Sequence, residues 1–324
     1  MSILKNSRVV VTGGAGLIGS HIIDQLIELK PSRIVVLDDF SRGTQDNLRH
    51  ALGSAPELLE VVTGNIADPK TVDRVVEGAD YIFHQAAIRI THCAENPRLA
   101  MDILVGGTFN IMDACVRYKV KKLVAASSAS VYGQATAFPT PENHGFEGNR
   151  TFYGGCKVAN EQMLRAFNEM HGLKYVGLRY MNVYGPRMDV FGAYTEVMIR
   201  WLNCIDQGKP PLIFGDGSQM FDFTYITDIA LSNIKAMEAS ASDACYNVGT
   251  GIGTTLLQLL ELMLKVADSK LKPEFREARK VGTNVVKRIG DTSRAQNEIG
   301  FSAQVPLVDG IAKLMEWRKR LVKA

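Results

Sequence analysis

The feature of this chain that most constrains its fold is a spaced set of glycines close to its first residues. The β-branched run 8–12 leads directly into Gly13-Gly14-Ala15-Gly16-Leu17-Ile18-Gly19. Glycines at i, i+3 and i+6 after a strand permit a tight turn, close approach of the backbone to phosphate, and packing of the next helix on a sheet. A pyrophosphate then lies on the N-terminus of that helix, where N–H groups and the helix dipole favour an anion. The residues assigned to this dinucleotide site are Gly13, Gly16, Leu17, Ile18 and Gly19.

An acidic residue follows the glycines at the distance that a dinucleotide site requires. The second predicted strand, 33–37, ends in Asp38, about 20 residues further along. A carboxylate at that place accepts hydrogen bonds from the ribose hydroxyls of adenosine and repels a 2′-phosphate. No Gly-Lys-Ser/Thr closes the glycine run, which excludes a P-loop. We therefore expect Asp38 to select NAD over NADP; the alternative is a structural βαβ turn without a ligand.

Apolar runs alternate with helical patterns through the first half of the chain. The strands are predicted at 8–12, 33–37, 59–63, 80–84, 122–126 and 174–179, and the helices at 17–29, 69–77, 97–117 and 153–171. Continuous Val, Ile and Leu runs are typical of strands buried on both faces, and alternation with helices favours a parallel sheet. We predict an α/β fold with a Rossmann-type doubly wound parallel sheet and a ligand at the carboxyl ends of its strands.

The pattern changes after residue 180, where glycines and prolines cluster. Helices are predicted at 193–206, 254–266 and 306–321, and the segments 222–229 and 245–248 are predicted to return to the sheet. The resulting division is a dinucleotide-binding domain of residues 1–180 and 225–249. A smaller, discontinuous C-terminal lobe contains residues 181–224 and 250–324.

Bulk composition excludes several classes of function. The 324 residues carry a net charge of +3, too small to favour nucleic acid or an anionic membrane as a partner. No apolar run approaches the roughly 20 residues of a membrane span, and no signal peptide is visible. The five cysteines are scattered without a C-x-x-C pair, and the six histidines have no metal-ligand spacing. We expect a cytoplasmic protein without a metal site.

The pair Tyr153-x-x-x-Lys157 is the main candidate for acid–base chemistry. On a helix, residues four apart share a face, so the lysine ammonium lies beside the phenol. The ammonium and a positive nicotinamide would lower the pKa of Tyr153 from about 10 toward neutrality, as a general base requires. Strand 122–126 leads into Ser127 and Ser128, and a serine there can relay a substrate proton or hold a sugar oxygen. A serine-rich turn without chemistry is the alternative.

Six motifs occur in an order that resembles one family. They are Gly13-x-x-Gly16-x-x-Gly19, His84-Gln-Ala-Ala87, Ser127-Ser-Ala-Ser-Val-Tyr-Gly133, Tyr153-x-x-x-Lys157, Arg179-Tyr-Met-Asn-Val-Tyr-Gly-Pro-Arg187 and Asp222-Phe-Thr-Tyr-Ile-Thr-Asp228. Over nearly its whole length the chain resembles the extended short-chain dehydrogenases/reductases of the NAD-dependent nucleotide-sugar epimerase/dehydratase group, most closely UDP-sugar 4-epimerases.

The resemblance implies a set of cofactor residues around Asp38. The group usually has Asp where Asn65 stands, but an amide oxygen also accepts a hydrogen bond from the adenine amino group. The implied contacts are Asn65 and Ile66 against adenine, Ala86 and Ala87 near the nicotinamide ribose, Lys157 on that ribose, and Tyr180 beside the nicotinamide.

The resemblance also implies substrate residues, with departures from the family pattern. Phe221 stands where an arginine usually precedes Asp222, and Lys280 aligns with the second arginine that pairs with the diphosphate. A lysine lacks the bidentate fork of arginine, so the identity of the substrate is left open. The implied contacts are Ser128 at the sugar, in preference to Ser127; Asn182 at the sugar or diphosphate; Phe214 on uracil; and Lys280, Arg187 and Arg288 at the diphosphate.

The resemblance implies inversion at C4 of a UDP-hexose of the UDP-glucose/UDP-galactose type, through a transient 4-keto intermediate. Dehydratases need an acid beside the serine, and decarboxylating relatives usually carry Glu there, whereas Ala129 and Ser130 fill these places. The alternatives are epimerisation of a UDP-uronic acid or UDP-N-acetylhexosamine, nucleotide-sugar dehydration, and a non-catalytic NAD-binding sensor or scaffold.

The predicted helices 97–117 and 153–171 carry more apolar residues than one core-facing stripe needs. In the resembled family these two helices form a four-helix dimer interface. The residues concerned are Ile103, Ile111, Met112, Met163, Leu164 and Phe167. We therefore expect a homodimer that binds a nucleotide sugar and has neither nucleic acid nor a membrane as a partner.

Overall fold

The computed structural model describes residues 2–190, 196–277 and 285–322. Its strands are β1 (Arg8–Thr12), β2 (Arg33–Asp38), β3 (Leu59–Thr63), β4 (Tyr81–His84), β5 (Lys122–Ser128), β6 (Tyr175–Tyr180), β7 (Asn182–Tyr184), β8 (Leu212–Phe214), β9 (Met220–Phe221), β10 (Phe223–Tyr225), β11 (Ala244–Val248), β12 (Thr254–Thr255), β13 (Glu274–Arg276) and β14 (Lys287–Arg288).

The helices flank these strands. They are α1 (Leu17–Glu28), α2 (Arg49–Ser54), α3 (Pro69–Val76), α4 (Ile90–Glu95), α5 (Pro97–Ala100), α6 (Thr108–Arg117), α7 (Phe152–His171), α8 (Val197–Asp206), α9 (Ile226–Glu238), α10 (Leu256–Val266), α11 (Ser293–Ile299) and α12 (Leu307–Val322). A π-helical segment, Met101–Gly107, joins α5 to α6, and a 3₁₀ turn, Ala129–Tyr132, follows β5.

Seven strands form one sheet in the order β11-β6-β5-β4-β1-β2-β3, and every neighbouring pair is parallel. The central strand β1 is fully buried at Val9, Val10 and Val11, as its continuous valine run predicts. The strand order reverses between β1 and β4, whose pairing ends at Thr12 and His84. In a doubly wound sheet, ligands bind outside the carboxyl ends at such a switch point. The predicted α/β Rossmann-type class is confirmed.

The six strands predicted before residue 180 are all present, and 245–248 joins the sheet as the edge strand β11. The prediction that 222–229 returns to this sheet was wrong. Strand β10 pairs with β7 in a separate two-stranded sheet, and α9 begins at Ile226. Ile226, Ile229 and Ala230 are fully buried at helical spacing, which is why a helix forms there.

The helical stretch 97–117 departs from a second expectation. It is long and apolar enough to cross a membrane by length and composition, with a mean hydropathy of 1.4 over its most apolar window. The statement that no apolar run approaches this length was therefore wrong. Ile103, Leu104 and Ile111 nevertheless lie in the interior of the protein. The stretch is packed as a core helix against the sheet.

The glycine turn after β1 is built from backbone packed on backbone. Gly13 has a φ of +65°, and a Cβ there would lie 2.6 Å from the backbone nitrogen of Ala86. At Gly19 a Cβ would lie 2.3 Å from the carbonyl oxygen of Gly13. Contacts this short exclude a side chain at either position, so the spacing read from the sequence has a steric cause.

Gly13→Ala is expected to lower the free energy of unfolding by about 2 kcal/mol or more, because alanine meets a left-handed backbone and a backbone overlap together. Denaturant unfolding followed by circular dichroism measures the change. Gly53→Ala on α2 is the matched control, since a Cβ at Gly53 meets nothing within 4 Å. The control should be neutral or slightly stabilising. Equal stability of the two variants would contradict this account of the turn.

Candidate active site

A cavity of about 1270 Å³ lies at the carboxyl ends of the central strands. The glycine turn and Tyr153 face this same space, together with residues of the C-terminal half. The structure brings to its wall most of the residues that the sequence predicted: Gly13, Gly16, Leu17, Ile18, Gly19, Asp38, Asn65, Ile66, Ala86, Ala87, Tyr153, Asn182, Arg187 and Arg288. Their individual roles stay predictions.

The N-terminus of α1 opens into the cavity without a cap. Its N-cap residue is Gly16, no side chain accepts a hydrogen bond from the first turn, and no acidic residue lies there. The first N–H groups of a helix have no partners within the helix, and they attract anions together with the helix dipole. This end, beside glycines that leave no room for a Cβ, fits the pyrophosphate of a dinucleotide.

Asp38 ends β2 at the rim of the same cavity. Its Oδ2 accepts a hydrogen bond from the Ala15 backbone at 2.9 Å, and its Oδ1 accepts one from the Phe40 backbone at 2.9 Å. Desolvation raises the pKa of this carboxyl, and the two backbone bonds oppose that shift. Each carboxylate oxygen keeps a further lone pair, so Asp38 fits the ribose hydroxyls that the sequence assigned to it.

Asn65 is held by the chain itself. Its Oδ1 accepts a hydrogen bond from the Ala67 backbone at 2.8 Å, and its Nδ2 donates to Asp39 Oδ2 at 3.1 Å. The predicted adenine contact must therefore use the second lone pair of the amide oxygen. Asn65 thus shapes its loop as well as lining the cavity.

Tyr153 and Lys157 lie one helical turn apart at the start of α7. Lys157 Nζ lies 5.8 Å from the centroid of the Tyr153 ring and donates to the Ala126 carbonyl oxygen at 2.7 Å. The Ser128 hydroxyl lies close enough to the Tyr153 phenol to lower its pKa. The predicted proximity of phenol, ammonium and serine is therefore present.

The predicted lowering of the Tyr153 pKa is not found in the structure. Desolvation raises the pKa of the phenol to about 12; the Ser128 hydroxyl and the cations Arg288 and Arg42 act in the opposite direction. Burial also lowers the pKa of Lys157 to about 8. The chain alone thus holds Tyr153 as a neutral phenol, because burial outweighs the favourable charges around it.

The two serines at the end of β5 have different surroundings. Ser127 is buried, and its Oγ donates to Glu161 Oε1 at 2.5 Å. Ser128 is partly exposed, and its Oγ accepts a hydrogen bond from the Ser130 backbone at 3.1 Å. Ser127 is therefore committed to the interior, which supports the preference for Ser128 as the residue beside the reacting atoms.

Several predicted site residues do not line the cavity. Ser128 and Lys157 lie next to Tyr153 but outside the cavity wall. Tyr180 is buried, and its single hydroxyl proton lies within reach of two acceptors, Gln85 Oε1 at 3.1 Å and Asn233 Oδ1 at 3.0 Å. Phe214 lies on β8, which pairs with β13, and it does not line the cavity wall, so its contact with uracil stays a prediction. Lys280 lies outside the described residues.

Three polar side chains in the cavity wall have buried atoms that find no hydrogen-bond partner among the described residues. They are Asn182 at Oδ1, Arg187 at Nη1 and Arg288 at Nε. Arg187 also donates to Asp24 Oδ2 of α1 at 2.6 Å, which directs part of its charge away from the cavity. Desolvation lowers the pKa of Arg288, whose guanidinium interacts with Tyr153. Unpartnered buried groups of this kind fit a polar, anionic ligand.

Sequence reasoning missed two further cations of the cavity wall. Arg89 pairs with Asp189 at 3.3 Å between Nη2 and Oδ2, and Arg42 interacts electrostatically with Arg89, Asp189 and Tyr153. Arg42 follows Asp38 in a loop whose composition is that of a solvated turn, so no local signal marked it. Within the described ranges, no group of three or more His, Cys, Asp or Glu side chains is placed to hold a metal ion.

Comparison with known proteins agrees with this geometry. A family model described as the NAD dependent epimerase/dehydratase family matches residues 9–249. The UDP-glucose 4-epimerase of Mycolicibacterium smegmatis is 33% identical over 313 residues, which are 96% of this chain and 98% of that protein.

Solved structures extend the likeness through the C-terminal lobe. A UDP-glucose 4-epimerase of Thermotoga maritima with UDP-glucose has a TM-score of 0.90 and 31% identity, covering 97% of this chain and 99% of that one. A UDP-N-acetylglucosamine 4-epimerase of Methanobrevibacter ruminantium in complex with UDP-N-acetylmuramic acid has a TM-score of 0.90 and 29% identity, covering 98% and 99%. The chain belongs to the NAD-dependent epimerase/dehydratase family, and its cofactor is NAD.

Proposed function

We propose that the protein is an NAD-dependent epimerase that inverts C4 of a UDP-hexose of the UDP-glucose/UDP-galactose type through a transient 4-keto sugar. The observation that carries the proposal is the placement of Tyr153 in the wall of the cavity that holds the glycine turn, with Ser128 and Lys157 beside the phenol. The similarity to two solved 4-epimerases over nearly the whole chain supports the proposal.

Residues of the sheet half hold the cofactor in this proposal. The uncapped end of α1 binds the pyrophosphate, Asp38 binds the adenosine ribose, and Lys157 binds the nicotinamide ribose. The lining residues Asn65, Ile66, Ala86 and Ala87 complete the site, with Tyr180 behind them. When bound, NAD accepts the hydride from C4 and returns it, and its positive ring adds to the charge that favours the Tyr153 phenolate.

Tyr153 moves the proton in this mechanism. Its phenolate oxygen takes the proton of the sugar O4 as the C4–H bond breaks, and gives it back when the hydride returns to the opposite face of the 4-keto sugar. Ser128, which lies beside Tyr153, holds O4 or relays its proton. Arg42 and Arg288 lower the pKa of Tyr153, in the direction that a general base requires.

The segments 181–224 and 250–324 form the nucleotide-sugar lobe in this proposal, beside a cofactor domain of residues 1–180 and 225–249. Asn182 and Arg288 bring unpartnered polar atoms to the cavity and are assigned to the sugar and the diphosphate. Arg187 is assigned a smaller part in binding the diphosphate, because its charge is paired with that of Asp24.

The turn after Ser128 favours epimerisation over dehydration or decarboxylation. Ala129 and Ser130 are both buried in the 3₁₀ turn, and Ser130 lines the cavity. Neither side chain is an acid, so the turn supplies no proton donor for the loss of water. All five cysteines are free, which supports a reducing, cytoplasmic location.

Incubation with UDP-glucose, UDP-N-acetylglucosamine and UDP-glucuronate in turn, followed by chromatography, tests the activity. We expect UDP-glucose to be converted fastest, to its C4 epimer. Tyr153→Phe should lower kcat by about 10³-fold while NAD stays bound, because the proton acceptor is lost. Tyr118→Phe, remote from the cavity, is the control. A dehydrated or decarboxylated product would replace the proposed reaction, and no turnover by the wild type would favour a sensor.

Arg288→Gln is expected to raise KM for the nucleotide sugar about tenfold or more, with a smaller fall in kcat, because a charged hydrogen bond to the diphosphate is lost. Initial-rate kinetics measure both constants. Arg276→Gln is the control, since Arg276 is exposed and pairs with Glu274 on β13. An unchanged KM would remove Arg288 from the substrate site.

The homodimer stays a proposal, and its support differs from that expected. Ile103, Ile111, Met112 and Leu164 lie in the core of the protomer, so they do not mark an interface. The outer face of 97–117 and α7 instead exposes Met101 (44%), Phe109 (46%) and Met170 (72%). Phe109 packs edge-on against Phe167 on this face, with ring centroids 5.6 Å apart.

Analytical ultracentrifugation at micromolar concentration should give the mass of a dimer. Phe109→Glu should shift the protein toward a monomer, because the substitution places a charge in an apolar interface. Ile3→Glu, an exposed apolar position elsewhere, should leave the dimer intact. A monomeric wild type would end this part of the proposal.

A further inference from the structure

A buried ion pair joins α7, the helix that carries Tyr153 and Lys157, to β6 of the main sheet. Arg179 on β6 donates from Nε to Glu161 Oε1 at 2.9 Å and from Nη2 to Oε2 at 2.7 Å. The two side chains are only 5% and 4% exposed. A bidentate pair with so little exposure holds both groups in one geometry. Glu161 lies on α7, one turn after Lys157 and on the same face.

The same carboxylate reaches the strand that carries Ser128. Ser127 donates from Oγ to Glu161 Oε1, and Ser127 directly precedes Ser128 at the end of β5. Glu161 therefore joins the helix of Tyr153 and Lys157 to the strand end of Ser128 through one side chain. No step of the proposed mechanism uses Glu161, Arg179 or Ser127.

Further hydrogen bonds extend this network toward the substrate side of the cavity. Arg179 Nη1 donates to the Tyr132 hydroxyl at 2.7 Å and to the Glu142 carbonyl oxygen at 2.8 Å. The Tyr132 hydroxyl donates to Asn247 Oδ1 at 2.8 Å, and Asn247 Nδ2 donates to the Asp291 carbonyl oxygen at 3.0 Å. Asp291 lies just beyond β14, the strand that ends in Arg288, the residue assigned to the diphosphate of the substrate. A network of buried hydrogen bonds in which each group has a partner is rigid, so it fixes the relative positions of its residues.

We propose that Glu161 is a positioning residue for the proton-transfer group. Clamped by Arg179, its carboxylate fixes Ser127, and through it Ser128, at a set distance from Tyr153, and it places a negative charge beside Lys157. The inference rests on the proposed roles of Ser128, Tyr153 and Lys157.

The charge around Lys157 supports this role. The titratable groups that face its ammonium are Tyr153, Cys156 and Glu161 on its own helix, Cys93 on α4, and His84 on β4. Burial raises the pKa of Cys93 to about 11, raises that of Cys156, and lowers that of His84 to about 3, so at neutral pH these groups are uncharged. Glu161, whose carboxylate also pairs with the Arg179 guanidinium, raises the pKa of Lys157, the direction that keeps the ammonium charged.

Ser127→Ala tests the positional part with little risk to folding. We expect kcat to fall about tenfold with KM and Tm close to those of the control, because the reacting groups lose alignment while the binding residues stay in place. Ser232→Ala is the matched control, since it also removes a buried hydroxyl, one that donates to the Ile229 carbonyl oxygen at 2.7 Å in α9. A kcat for Ser127→Ala equal to that of the control would overturn the positional part.

Glu161→Gln tests the charge. Burial lowers the pKa of Lys157 and the carboxylate raises it, so loss of the carboxylate should move the alkaline limb of the kcat profile to lower pH. The titration of Lys157 itself, followed by NMR on lysine labelled at Cε and assigned with Lys157→Met, should move the same way. Glu298→Gln is the control, because Glu298 also pairs with an arginine, Arg294, and accepts from a tyrosine hydroxyl, but on α11.

The kcat profile and the NMR titration of Lys157 together distinguish a failure of this inference from a failure of the proposed function. An active wild type whose kcat profile and Lys157 midpoint are unchanged in Glu161→Gln would overturn the charge part and leave the function standing. A wild type that converts no nucleotide sugar would end the proposed function, while the Lys157 midpoint would still decide the effect of Glu161. Should Glu161→Gln fail to fold, Ser127→Ala carries the test alone.

Discussion

Burial of a phenol and an ammonium side by side is the constraint on which the rest of the site depends. Desolvation raises the pKa of Tyr153 and lowers that of Lys157, so each group is driven toward its neutral form. The acid–base chemistry proposed for this pair needs the charged forms. The surroundings must therefore supply charge: Arg42 and Arg288 act on the phenol, and Glu161 acts on the ammonium.

The fold makes this arrangement possible by bringing strand ends together. Because every neighbouring pair in the main sheet is parallel, the glycine turn after β1, Asp38 after β2 and the serines at the end of β5 all reach one edge. The helix that follows contributes Tyr153 and Lys157 from the same side. The C-terminal half then closes the cavity with groups such as Asn182 and Arg288, whose buried polar atoms have no partner in the part of the chain that the structure describes.

The sequence predicted those features that depend on local geometry. The glycine spacing specifies a turn because Gly13 and Gly19 leave no room for a Cβ, and the spacing of Tyr153 and Lys157 specifies a shared helix face. It failed where the outcome depends on packing between distant segments. Burial raises the pKa of Tyr153, and the pairing of β8, which carries Phe214, with β13 was not predicted either. Neither effect has a local signal.

Two parts of the predicted cofactor site, the glycine turn (the floor) and the loop 39–47 (the rim), differ in how far they tolerate substitution. Around Gly13 the floor is main chain against main chain, so substitutions cannot adjust it without moving the sheet. The rim is the loop 39–47, fastened to the Ala15 carbonyl oxygen by the Thr44 backbone at 3.2 Å and by Asn47 Nδ2 at 2.8 Å. Substitutions in the loop 39–47 can therefore alter the edge of the cofactor site without moving the sheet, except at Gly43, where a Cβ would lie 2.8 Å from the Ala15 backbone.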